Sequence, residues 1–235
     1  MPYIHAVLRQ ALEQAVREDL VYRNVAEAVS PPRQKRKEIR PLTADELNRF
    51  LAAARDGRLF PAFLFEGATG LRRGELLGLK WEDVDLERGT VTVRRSLIRT
   101  RHELAFMEPK SEKSRRTIPL PKEVVAGLRT HKKRQAGERL SRGPAYCDHG
   151  LVFCTEEGRP LDPRNFVRKF EGLLRTGGPP NVSFHHMRHS HATLLLLLGE
   201  HPKVVQERLG HSTITVTLTR TATSCLASRR GPRRS

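Results

Sequence analysis

The stretch FHHMRHSHAT, residues 184–193, gathers four histidines and one arginine within ten positions. His185 and His189 stand four apart, the spacing that puts two imidazoles on one face of a helix and suits a metal ion. The string resembles the zinc-hydrolase pattern HExxH with His186 in place of the glutamate, and that replacement removes the general base such a hydrolase needs. Two other chemistries fit the same letters. The histidines can be satisfied by local hydrogen bonds. Alternatively, Arg188 can clamp a phosphate: a guanidinium offers paired donors to nonbridging oxygens, and a neighbouring imidazole can share a proton near neutrality.

A phosphate partner agrees with the charge. The chain has 235 residues, a formal net charge of +17 and a pI near 10.8, an excess that implies a polyanion. Nucleic acid is the leading candidate and an acidic membrane surface the second. No apolar run approaches the about 20 residues of a spanning helix, and the first residues lack the apolar core of a secretory signal. Cys147, Cys154 and Cys225 have neither zinc-pair spacing nor an even count and read as reduced thiols. The expected location is the cytoplasm, in association with DNA.

The elements that would position such residues can be read along the chain. Apolar residues recur at helical spacing from Ile4 to Val16 within residues 3–22, and one helix cannot bury such a stripe alone. SPPRQKRKEIRPL follows; its two prolines break a helix, and its charges make either a solvated connector or a DNA contact. In LTADELNRFLAAA, Thr43 is an N-cap with Glu46 three residues on, so a new domain is expected to begin near Leu42. FPAFLFEGATG reads as an apolar helix stopped by Gly70, and LRRGELLGLKWEDVDLERG as a short helix and a turn. TVTVRRSLIR and SRRTIPL read as two strands joined by the turn EPKSEK. Helices are expected over 122–136, 165–174, 187–198 and 203–209.

ATGLRRGELLGLKWEDVDL, PKSEKSRRTIPLP, HHMRHSHATLLL and LGHSTITVTL occur in the order and at the separations of the tyrosine recombinases, the phage-type integrases. Each string is weak alone, but four in register over about residues 42–218 make a specific resemblance. The resemblance implies a mainly helical α+β catalytic domain with a small antiparallel three-stranded sheet. It divides the chain into a C-terminal remnant of the core-binding domain (1–33), a linker (34–41), the integrase catalytic domain (42–218) and an altered basic tail (219–235). The earlier helices of the core-binding domain are then expected to be missing.

The family transfers a DNA phosphate through a covalent phosphotyrosine, with no metal or nucleotide cofactor. Carried over residue by residue, the resemblance makes Arg72 and Arg188 the two catalytic arginines, which neutralise charge developing on phosphorus. Lys110 would protonate the departing 5′ oxygen. His185 is the histidine of the H-x-x-R pair, and His211, in LGH, donates to the same phosphate. Glu75 would support Arg72, or form only a surface pair with it, and His189 would help to order the site. Spacing alone does not choose between Arg72 and Arg73, and a turn lysine is commonly just solvated. Trp81 reads as core.

The nucleophile is what the resemblance does not find. Thr221 stands where the tyrosine is expected, and the tyrosines of the chain are Tyr3, Tyr22 and Tyr146. A threonine hydroxyl has a much higher pKa than a phenol and makes a poor nucleophile and a poor leaving group. One origin fits the letters. A family-like ending, Arg-Tyr-Gly-His-Leu-Met-Pro, can be written CGC TAC GGC CAC CTC ATG CCT. Deleting the T that opens the tyrosine codon yields Arg-Thr-Ala-Thr-Ser-Cys-Leu, residues 220–226 as they stand. A frameshift at Thr221 is therefore expected, and the nucleotides decide it: a shifted frame that encodes no tyrosine there removes the idea.

The functional expectation is a site-specific DNA recombination or integration protein, of the kind carried by mobile elements. It would keep its phosphate-binding residues, bind double-stranded DNA and lack strand cleavage. The resemblance implies homo-oligomers on DNA in intact relatives, linked by a C-terminal segment donated between protomers, an exchange the altered tail is not expected to make. The alternatives are a non-catalytic DNA-binding or regulatory relative and a histidine metal hydrolase.

Overall fold

The computed structural model describes residues 2–30, 41–101, 103–108, 115–177 and 182–210. The chain forms two compact units, Met1–Glu38 and Ile39–Ser235. In the first, helix α1 (Pro2–Arg17) is followed by a 3-10 turn at Val25–Ala28. The His5 ring closes the pair on the carbonyls of Ala26 (3.0 Å) and Val29 (2.8 Å), and Asn24 caps the turn through Ala26 N. Ile4, Val7 and Leu8 remain exposed, as expected of a lone amphipathic helix.

The second unit begins with α2 (Ala44–Ala54), where the capping box is in place: Thr43 Oγ1 accepts from Glu46 N, and Glu46 Oε2 accepts from Thr43 N at 2.9 Å. Helix α3 (Phe60–Thr69) carries Pro61 in its first turn, where a missing N–H costs nothing. It ends at Gly70, whose φ of 61° is left-handed and suits a residue without Cβ. Helices α4 (Arg73–Leu77), α5 (Lys122–Arg142), α6 (Pro163–Gly177), α7 (Phe184–Leu197) and α8 (Pro202–Leu209) complete the helical set among the described residues. The core is aromatic. Phe50, Phe63, Phe166, Phe170 and Phe184 stack edge-on or tilted from α2, α3, α6 and α7, with ring centres 4.9–6.0 Å apart. Each is almost wholly buried, which stabilises by roughly 1.5–3 kcal/mol per ring from burial alone. Trp81 is half-buried against this core, its Nε1 donating to Gln135 Oε1 at 2.6 Å.

The expected antiparallel three-stranded sheet is present, in the order β1 (Val84–Asp85), β2 (Thr90–Val93), β5 (Arg116–Pro119). Val91 lies opposite both Val84 and Ile118, so the buried face of the sheet is continuous. The run TVTVRRSLIR is not one strand. Arg95 donates to Asp83 and to Glu82 (2.7 Å), pulling the chain out of the ladder, and the next residues form β3 (Ser96–Arg99) in a separate hairpin with β4 (Leu104–Met107). Strand β4 was not expected from the sequence. EPKSEK therefore leads from β4 to β5 rather than from a single 90–99 strand to β5. The observed helix ends depart from the expected bounds by at most six residues, the largest difference being at the C-terminus of α5.

Candidate phosphate-binding site

Arg72 and Arg188 converge from different elements. Arg72 precedes α4, whose first turn brings Glu75 back onto it: Glu75 Oε2 accepts from Arg72 N (2.9 Å) and Oε1 from Arg72 Nη1 (2.8 Å). Arg188 sits in the second turn of α7 and is 3% exposed. Its Nη1 donates to the Gly70 carbonyl (2.7 Å) and its Nη2 to the Leu209 carbonyl (2.6 Å), so it spans the C-terminal ends of α3 and α8. Both are negative helix ends, where a cation is stabilised. Burial lowers the Arg188 pKa to about 10, with the nearby Arg72 charge acting in the same direction, and the side chain stays charged at neutral pH.

Both arginines line one open cavity of about 740 Å³, together with Arg73, Arg99, Arg164 and His185. Five guanidiniums and an imidazole around one space suit a polyanion. Arg73 lines the cavity as well, but Arg72 is the one braced by Glu75. Glu75 is buried, which pushes its pKa up. The fork it shares with Arg116 and its bonds to Arg72 outweigh that, so its pKa is lowered and it stays ionised.

The histidine cluster divides by role. His185 lines the cavity, with the His189 ring edge-on to it at 4.7 Å and buried. His186 Nδ1 accepts from Ser183 N at 3.1 Å and closes a capping box, so the letter that departs from HExxH starts the helix instead. His191 Nδ1 donates to the Gly67 carbonyl (3.0 Å), and burial lowers its pKa to about 4, with Arg208 adding to the shift, leaving it neutral. Among the described residues no three His, Cys, Asp or Glu side chains converge as a metal site. Lys110, His211 and Thr221 lie outside the described residues; His211 follows Gly210 directly in sequence.

Tyr146 does not line the cavity. Its hydroxyl is 3.7 Å from Cys154 Sγ, and its ring covers Gly158 so closely that a Cβ there would meet it at 2.7 Å. Burial and the adjacent sulfur push the phenol pKa up. Cys147 and Cys154 are free thiols, as read from their spacing, and Cys225 lies outside the described residues.

Two residues of the site escaped the sequence reading. Arg116, inside the strand SRRTIPL, puts Nη2 2.7 Å from Glu75 Oε2 and Nη1 3.2 Å from Oε1, and donates from Nε to the Arg208 carbonyl (2.8 Å). Glu66 is wholly buried on α3 at the wall of the cavity, with neither carboxylate oxygen hydrogen-bonded. Burial holds its pKa well above the ordinary 4.5, against the opposing pull of Arg188. The signal was there in the letters: Glu66 is the one acid within an otherwise apolar helix.

A family model described as the Phage integrase family matches residues 40–223. A "Tyrosine recombinase XerC-like" protein of Caldanaerobacter subterraneus subsp. tengcongensis is 34% identical over 200 residues, covering 80% of this chain and 51% of that protein. An integrase of Streptomyces ambofaciens is 32% identical over 227 residues, covering 91% and 57%. The chain thus spans between half and three-fifths of the length of these curated relatives. Among solved structures, the Tn1549 transposon integrase in complex with a circular intermediate DNA superposes with a TM-score of 0.75 at 24% identity, over 97% of this chain and 77% of that one. A lambda integrase tetramer bound to a Holliday junction gives 0.67 at 21% identity, over 99% and 60%. These two likenesses extend the agreement of fold. With the family match running from the start of the second unit through both arginines and beyond α8, the chain belongs to the phage integrase family, and its second unit has the fold of a tyrosine recombinase catalytic domain.

Proposed function

We propose that the chain binds double-stranded DNA as the catalytic domain of a site-specific recombinase, with a backbone phosphate held between Arg72 and Arg188. The observation that carries this is the convergence of two arginines from separate elements on one cation-lined cavity, each oriented by bonds to protein oxygens. Guanidiniums fixed in place stabilise the charge that builds on a pentacoordinate phosphorus without having to reorganise. His185 at the cavity wall donates to, or shares a proton with, the same phosphate. Lys110 and His211 belong to the same proposed set, Lys110 as the group that would protonate a departing 5′ oxygen if the strand were cut.

The step this chain does not supply is nucleophilic attack, because Thr221 holds the tyrosine position. DNA binding without strand cleavage is therefore the proposed activity, and the location is the DNA-bearing compartment, the cytoplasm and its nucleoid. The integrases of similar fold that are bound to a circular intermediate DNA and to a Holliday junction support the choice of DNA as substrate. No helix among the described residues is long and apolar enough to cross a membrane. Residues 1–33 then belong to a core-binding domain and 34–41 to the linker. A second reading, a DNA-binding relative that regulates rather than cuts, is favoured by Thr221 itself.

The test is duplex binding by fluorescence anisotropy with wild type, Arg72→Gln and Arg188→Gln. Each variant is expected to weaken binding and to reduce the dependence on salt by about one counterion. Unchanged binding in either variant removes the proposal.

A further inference from the structure

The end of α8 holds three consecutive carbonyl oxygens, and each accepts from a different arginine. Arg208 O takes Arg116 Nε (2.8 Å), Leu209 O takes Arg188 Nη2 (2.6 Å) and Gly210 O takes Arg72 Nη2 (2.8 Å). The last carbonyls of a helix have no partner within it, so they are ready acceptors at its negative end. Gly210 turns the chain there with φ 64° and ψ 46°, and a Cβ on it would lie 3.0 Å from Arg116 Nη1.

Two of the three arginines line the cavity; the third does not. The Arg116 side chain is 7% exposed, and its fork is spent on Glu75. Glu75 in turn holds Arg72, and among the described residues its side-chain ion pairs are with Arg72 and Arg116. Arg116 therefore touches both supports of Arg72: the carboxylate on one side and the α8 end, at the carbonyl two residues before Gly210, on the other.

We infer that Arg116 is a positioning residue for the phosphate site, setting the orientation of Arg72 through Glu75 and the carbonyl end of α8. This rests on the proposed phosphate binding at Arg72 and Arg188. Without Arg116, Glu75 has one cation to satisfy instead of two and draws Arg72 fully to itself. The α8 end also loses one of its three tethers, the one at the Arg208 carbonyl. A lysine keeps the charge but offers no planar fork and reaches at most one of the two anchors.

The experiment is a double-mutant cycle on duplex affinity, using the full chain, a mixed-sequence DNA duplex and two salt concentrations, with wild type, Arg72→Gln, Arg116→Lys and the double variant. Arg116→Lys is expected to weaken binding about fivefold to tenfold, the net scale of one ordinary hydrogen bond, and to reduce the salt slope by about 1. In the Arg72→Gln background the same substitution should cost nothing further, because the residue through which it acts is gone. Equal losses in both backgrounds, or no loss while Arg72→Gln does weaken binding, overturn the inference. No effect of Arg72→Gln itself overturns the phosphate reading, and this inference with it. Should Arg116→Lys not fold, as judged by its thermal transition, Glu75→Gln takes its place in the cycle, since it severs the same link while keeping the side-chain shape.

Discussion

Glu66 shows at the residue scale how a buried acid changes the protein's response to pH. Its folded pKa is raised by burial, so between the ordinary 4.5 and that raised value the folded state holds a proton the unfolded chain has lost. The contribution of Glu66 to stability is then greatest at low pH and falls as pH rises through this window. Glu66→Gln, which cannot ionise, is expected to lose that decline, and its melting temperature should fall less than wild type's between pH 5 and 8. Parallel curves would remove Glu66 as the source. The Glu75 pKa, lowered against its burial by Arg116 and Arg72, works in the opposite direction: its contribution is present above 4.5 and is lost as pH falls through its lowered value.

At the scale of elements, the capping signals were legible because they are local. Thr43 and Glu46 are three residues apart and need nothing else to form their box. Thr43→Ala is expected to cost about 1 kcal/mol, read as a shift of the denaturation midpoint without a change of slope. Gly70 was legible for the same reason. Strand β4 was not, because LAFM is short and takes its place by pairing with SLIR, beyond the point where Arg95 is bonded to Asp83 and Glu82. Long-range polar anchors of this kind leave no periodicity in the letters. Arg116 was hidden likewise: within SRRTIPL nothing distinguishes it from Arg115, and only the approach of α4 and α8 does. The aromatic core is an element-level contact too. Phe170→Ala removes the ring that touches Phe50, Phe63 and Phe184, and is expected to destabilise by about 3–5 kcal/mol in chemical denaturation.

For the whole molecule, the charge of +17 and the cavity of arginines predict duplex binding that weakens steeply as salt rises, log affinity falling linearly with log salt. Affinity that does not change between low and high salt counts against a phosphate-directed interface. A nicked suicide duplex is expected to give no covalent protein–DNA adduct on a denaturing gel, and an adduct that survives would show that Thr221 is not the nucleophile position or that another residue replaces it. Thr221→Tyr alone is not expected to restore the adduct, because the residues after it also depart from the family pattern. Of the residues the resemblance singled out, Arg72, Arg188 and His185 line one cavity, with Glu75 bonded to Arg72, while Lys110, His211 and Thr221 lie outside the described residues. Composition and periodicity alone reached only a basic, mainly helical domain.

The oxygens at the end of α8 also set the thermodynamic character of binding. Arg72 and Arg188 are already fastened to carbonyls before any DNA arrives. Their rotamer freedom, about 2 kcal/mol for a free arginine side chain, is largely given up during folding. A phosphate entering the cavity meets side chains with little left to lose. Calorimetry on a duplex should therefore find a favourable entropy at low salt, dominated by ions leaving the DNA, that shrinks as salt rises while the enthalpy holds nearly constant.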